Sequence, residues 1–283
     1  MRAGKISLIL IFLAATVPAS ASGHGPVFGY ATPTNSKGEW SFDFGLFGRR
    51  SGWGTGLASG SMFTYGFTPH LQTSVKLPIL LNSNFMPVGR MMGGMDWEGN
   101  VAWRFHHNPT SVGTRLESTV FAGVVVPSTQ RTHGVISTLA LAPGVNLALA
   151  TGLASRAHYL WAGAGYTGYL SRDGDRRPQM LSYSAVYGYR PPALRKDYPR
   201  GDWRIFAELT GEAWRRAQKA GLPLPGTSGH QVFLGPTVLG IYKSFAISGG
   251  IQLPVFRQVG SSLPRDSFRF AVNFSFFLFS AHH

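Results

Sequence analysis

Asp96-Trp97-Glu98-Gly99-Asn100-Val101-Ala102-Trp103-Arg104-Phe105-His106 sorts into two faces when every second residue is taken together. Trp97, Gly99, Val101, Trp103 and Phe105 fall on one side, and Asp96, Glu98, Asn100, Arg104 and His106 on the other. Successive side chains of a strand point to opposite faces, so all the charge of this segment lies on one face and its aromatic mass on the other. In a soluble sheet the aromatic face would cover a core. In a transmembrane strand it meets lipid, and the polar face lines a lumen.

The neighbouring segments repeat the pattern. Trp40, Phe42, Phe44 and Leu46 alternate with Ser41, Asp43 and Gly45. Phe63, Tyr65 and Phe67 run into Thr68-Pro69-His70, after which Leu71, Thr73, Val75 and Leu77 alternate with Gln72, Ser74 and Lys76; so short a link makes an antiparallel hairpin. Leu181 to Arg190, Trp203 to Glu212 and Ile247 to Val255 read the same way. The segments Thr114 to Val126, Asn146 to Ser155 and Gln231 to Ile241 are apolar on both faces, which leaves their register open. About twelve such segments are counted, and an even number places both termini on the periplasmic side. The expected fold is an all-β, closed antiparallel transmembrane barrel with short periplasmic turns and longer extracellular loops. The connections His107–Gly113 and Arg190–Gly201 are long for periplasmic turns.

Composition favours the membrane reading. Charged residues make up 13% of the chain, against about a quarter in a soluble domain, while 20 Phe, 10 Tyr, 7 Trp and 36 Gly are present. Arg2 and Lys5 precede an apolar run from Ile6 to Val17 and the triplet Ala19-Ser20-Ala21, the form of a cleaved secretory signal. The expected organisation is therefore a signal peptide over 1–21, a periplasmic N-terminal segment over 22–37 and a barrel over 38–283. No Cys is present, so no disulfide staples the exported chain. The net charge of +14 would suggest nucleic acid, but export excludes that partner. Instead Arg172, Arg176, Arg177, Arg215 and Arg216 lie in expected loops, where they face water or the anionic head groups of outer-membrane lipid and lipopolysaccharide. The last strand, Ser267 to Phe279, ends in aromatics, a feature read by outer-membrane assembly machinery, although Ser280 to His283 follow it.

The strings YGFTPHLQTSVKLPI (65–79), DWEGNVAWRF (96–105), DWRIFAELTGE (202–212), GHQVFLGPTVLG (229–240) and AISGGIQLPV (246–255) resemble the outer-membrane barrel family named for the meta-cleavage phenol-degradation pathway. The resemblance spans most of the chain after the signal and implies a transporter or channel in the bacterial outer membrane.

Asp43, Glu98, Arg104, Arg204, Glu208, Glu212 and Arg269 all occupy the polar phase of their strands. Such charges line a pore and set its ion preference, or pair with one another as a structural network that fills a small barrel. Cleavage after Ala21 would expose Ser22-Gly23-His24, whose amine, amides and imidazole suit square-planar Cu(II) or Ni(II). Met91, Met92 and Met95 offer thioethers for Cu(I), or fill a gap in a loop. No further cofactor is expected. An enzyme is not expected either, since no G-x-S-x-G elbow is present and neighbouring His106 and His107 lack zinc-site spacing. The expectation is passive passage of a small molecule or ion through a polar lumen. A non-conducting structural or metal-binding barrel is the alternative.

Overall fold

A computed structural model describes residues 25–83, 96–128, 135–196 and 199–279. The strands are β1 (Glu39–Ser51), β2 (Gly54–Thr68), β3 (Leu71–Ser83), β4 (Trp97–Ser111), β5 (Thr114–Val126), β6 (Gly144–Ser155), β7 (His158–Tyr169), β8 (Met180–Tyr189) and β9 (Asp202–Trp214). A small hairpin of β10 (Gln218–Lys219) and β11 (Leu222–Pro223) precedes β12 (Gly229–Tyr242), β13 (Phe245–Val259) and β14 (Asp266–Phe279). Twelve of these strands form a closed antiparallel barrel in which each pairs with its sequence neighbour, β9 pairs with β12 past the small hairpin, and β14 returns to β1. Every barrel strand is hydrogen-bonded to a neighbour on each side, as a bilayer requires of a strand-built span, although β3 meets β4 only over Leu71–Lys76 and β13 meets β14 only over Phe245–Gln252.

The alternation inferred from sequence is the one the barrel uses. Trp97 is 51% exposed and Glu98 beside it 7%, so the aromatic face points outward and the charged face inward. Leu147, Leu149, Leu160, Leu253 and Phe274 extend this apolar exterior around the ring. Trp40, Tyr65, Phe67, Trp103, Phe105, Tyr187, Tyr189, Trp203, Tyr242 and Phe245 cluster toward one end of their strands. Neighbouring rings there touch, as in Trp40–Tyr65 at 4.6 Å and Tyr65–Phe67 at 4.9 Å. This is the aromatic girdle of a membrane interface.

At the girdle end the connections are 69–70, 112–113, 156–157, 190–201 and 243–244, so only one of them is long; at the other end most are long. The girdle end also carries the start of β1 and the end of β14 and is the periplasmic end by the rule for such barrels.

Two expectations about this end change. The connection from His107 to Gly113 is mostly strand, because β4 continues to Ser111 opposite Thr114, with irregularities between Arg104/His106 and Pro109/Ser111. The first of these flips the phase. His106 lies opposite Ser118 on the outer face, and His107 takes the inward place opposite Glu117, 3.4 Å from its carboxylate. The second connection, 190–201, is indeed long and, among its described residues, contains a 3-10 turn at Pro192–Leu194.

Candidate functional site: the occupied lumen

The sequence reading placed residues 22–37 in the periplasm; the described part of that segment lies inside the barrel. It climbs from the girdle end toward mid-height and exchanges hydrogen bonds with one strand after another. Near the bottom, the Asn35 N–H donates to Gln72 on β3 at 2.7 Å and the Thr34 hydroxyl to the Pro69 carbonyl at 2.8 Å. Higher up, the Thr32 hydroxyl donates to Glu117 on β5 at 2.9 Å, and its carbonyl accepts from Thr119 at 2.6 Å. Tyr30 donates its N–H to Ser184 and meets Ser182 through its hydroxyl, both on β8.

At the top, three successive backbone N–H groups, of Val27, Phe28 and Gly29, converge on the Glu208 carboxylate of β9 at 2.7, 2.7 and 2.8 Å. Thr237 on β12 donates to the same carboxylate. Glu208 is fully buried, so its charge is stabilised by these donors rather than by water.

The strands opposite the strap are shaped for it. A Cβ at Gly163 would stand 2.6 Å from the Tyr30 Cβ, and one at Gly165 2.4 Å from the Tyr30 hydroxyl oxygen, so the ring lies where β7 has no side chains. Ala148, Ala150 and Ala154 on β6 keep the facing wall low. Below Tyr30, Trp161, Val186, Phe206, Leu239 and Phe277 form an apolar cluster that Ala31 packs against. The lumen is therefore polar on only part of its wall, a difference from the expected polar pore. The strap supplies the apolar partners that inward-facing aromatics need.

The other predicted charges are spread along the inner wall. Glu212 and Arg269 pair at 2.8 Å, and Arg269 also donates to Asp266 at 2.9 Å while its guanidinium lies 3.7 Å over the Phe233 ring. Asp266 accepts from Arg49 as well, completing a buried group of two cations and two carboxylates toward the long-loop end. Arg104 pairs with Glu117 at 3.0 Å, Arg204 with Asp202 at 3.3 Å, and Glu98 with Lys76 at 3.6 Å. Asp43 is bonded by Ser275. Of the seven, only Glu212 and Arg269 join each other. The partners Arg49, Glu117, Asp202 and Asp266 were passed over. All but Asp266 sit on segments whose inward phase the sequence does reveal, or reveals once Thr119 and Glu117 are aligned two residues apart; Asp266 falls beyond a register shift that takes it out of phase with Arg269.

His24, Met91, Met92 and Met95 lie outside the described residues. Among the described residues no group of three or more His, Asp or Glu side chains is placed to hold a metal ion.

At the long-loop end, Ile136, Leu139, Trp214, Ala217 and Leu263 form an apolar cap from several loops. Arg177, expected to face outward, turns in to Asp96 at 2.7 Å and lies 4.2 Å over Tyr169. Asp175 ties three loops together, because its carboxylate accepts the N–H of Ala220 at 2.8 Å and of Ala140 at 2.9 Å. Those two N–H groups hold the carboxyl below its ordinary value of 3.8. A depressed value means that the contact contributes fully above the ordinary value and is lost as pH falls through the lower folded one. Amide exchange at Ala140 and Ala220, referred to the intrinsic rate at each pH, is accordingly expected to stay slow at neutral pH and to lose that protection only below about pH 4. Asp175→Asn should accelerate it at neutral pH, and equal protection in the variant would remove the carboxylate from this role.

Comparison with solved structures agrees with the architecture. An outer-membrane channel from Pseudomonas putida F1 superposes with a TM-score of 0.61 at 13% identity, over 87% of this chain and 97% of that one. The NanC porin superposes with a TM-score of 0.50 at 7% identity, over 84% and 98%. No family model matches the chain. No curated protein matches it either. Ring closure, the lipid-facing apolar belt and these likenesses together make the chain a twelve-stranded β-barrel of the outer-membrane type.

Proposed function

We propose that the chain is an outer-membrane channel for passive passage of a small solute, whose lumen is held closed at rest by its own N-terminal strap. The observation that carries this is the latch at Glu208. Three successive strap N–H groups and the Thr237 hydroxyl meet this one carboxylate, so the polar hold on the upper end is concentrated in a single side chain, beside the packing of Phe28 against Ala271. With the strap withdrawn, the inner wall would present Glu208, Arg104, Glu117, Ser182 and Ser184 to the solute, a polar path beside the apolar cluster. Glu98, Arg204, Glu212, Asp43 and Arg269 line the same wall above and below, and their charges bias which ions pass. Arg172, Arg215 and Arg216 at the loop rim face anionic lipid head groups. The likeness to an outer-membrane channel and a porin supports the reading at the level of fold.

The competing reading is a non-conducting barrel, favoured by the strap, the apolar cluster and the loop cap acting together as permanent filling. Planar-bilayer recording separates them. Discrete ohmic steps from the purified mature barrel are expected. A barrel that inserts and stays silent, with or without residues 25–31, overturns the channel.

A further inference from the structure

Below the strap, at the girdle end, lies a cavity of about 490 Å³ in which Arg115, Arg156, Arg190 and Arg204 meet Tyr159 and Trp161. It is a vestibule, since Arg115 is half exposed and Pro33 of the strap forms part of its lining. Its charge is out of balance. Glu117 is shared by Arg104, Arg115 and His107, and Asp202 by Arg190 and Arg204. Arg156 adds a further cation, so five guanidinium groups surround two carboxylates that are already engaged.

The hydrogen-bond capacity is also unspent. Arg115, Arg190 and Arg204 reach their carboxylates through Nε, and among the described residues their terminal nitrogens, like the whole Arg156 guanidinium, have no hydrogen-bond partner. The indole N–H of Trp161 is buried without a partner among the described residues. A buried donor without an acceptor is costly, and Trp161 is that case, whereas the Arg115 and Arg156 head groups are exposed and meet water while the vestibule is empty. Donors outnumber acceptors here, so the missing group is an acceptor. The stacked Tyr159 and Trp161 rings, 5.3 Å apart, and Ala154 supply an apolar wall next to it.

We infer that this vestibule is a binding site for a small organic carboxylate, its oxygens held by the Arg115 and Arg156 guanidinium groups and its apolar body against Tyr159 and Trp161. Inorganic oxyanions would use the guanidinium groups but leave the ring wall unused. A neutral molecule of the same shape would leave the guanidinium groups unused.

The test is calorimetric titration of hexanoate into the mature barrel in detergent at low salt, against empty micelles, with hexanamide and sulfate as comparison probes. Hexanoate is expected to bind at least roughly tenfold more tightly than either, the loss of one charge-assisted bond being worth about that factor. Arg115→Gln combined with Arg156→Gln should weaken hexanoate by about tenfold or more. Folding is not at stake in that variant, because Glu117 retains Arg104 and Arg156 has no partner to lose. Equal binding of hexanamide, equal binding of sulfate, or unchanged hexanoate binding in a variant that still shows heat-modifiable migration each overturns the site. Binding needs no conduction, so a silent barrel that binds hexanoate leaves this inference standing while the channel falls, and a conducting barrel that does not bind it overturns this inference alone.

Discussion

Replacing Glu208 by Gln is expected to raise the current through single barrels several-fold, by shifting the strap from its lodged to its withdrawn position. The carboxylate accepts three backbone N–H groups and one hydroxyl. A glutamine at this site keeps one acceptor oxygen and turns its amide N–H₂ toward donors. Hydrogen bonds to a charged group contribute about 1.5–3 kcal/mol each. Losing one or two of them takes roughly 2–4 kcal/mol from the latch, a shift of about 30- to 1,000-fold between the two positions. Tyr30 and Thr32 still hold the lower strap, so the expected state is an upper end that comes and goes rather than one permanently out. Faster opening events in planar bilayers, together with new protease cleavage near Phe28 from the girdle side, would show this. The variant lacking residues 25–31 should conduct without interruption. Unchanged currents in both, from barrels that migrate as folded species, would mean that the lumen is blocked elsewhere and the strap is not the gate.

Much of this architecture was legible because strand periodicity is enforced by lipid. Trp97, Val101 and Trp103 face hydrocarbon, Glu98 and Asn100 do not, and no other arrangement of that segment avoids burying charge in lipid. Legibility failed where something other than lipid or water faces the strand. On β6 the inward residues are Asn146, Ala148, Ala150, Gly152 and Ala154, chosen to leave room for the strap, so both faces read as apolar and the register stayed open. The strap itself, from Gly25 to Ser36, has no strand period, and its contacts lie up to 181 residues away in sequence. Nothing local marks Glu208 as the acceptor for Val27 either; the carboxylate was recognisable as inward-facing, but its partner was not. His106 and His107 failed for a different reason, since a bulge changes phase without changing composition.

Arg269 should be the most costly side chain in the barrel to remove. Its guanidinium is completely buried and serves Glu212, Asp266 and the Phe233 ring at once, so Arg269→Met takes away the cation that two buried carboxylates share. Breaking a buried pair from one side costs about 3–5 kcal/mol, chiefly because the remaining charge keeps its desolvation penalty. At roughly 2–4 °C per kcal/mol for a chain of this size, the temperature at which the folded band is lost on a gel should fall by about 6–20 °C. The physical cause predicts more than the size of the drop. If the cost resides in the carboxylates left behind, then adding Glu212→Gln to Arg269→Met should recover part of the loss, because Asp266 keeps Arg49 and the neutralised residue 212 no longer needs a cation. The two changes would then be coupled by about 1–3 kcal/mol, of the sign that makes the double variant more stable than the sum of the singles. Strictly additive losses would instead assign Arg269 to packing against Phe233, with the ion pairs contributing nothing net. The same comparison bears on function, since a long-loop half of the lumen fixed by mutually dependent charges is a rigid frame, and the strap below it is then the part of the lumen left to move.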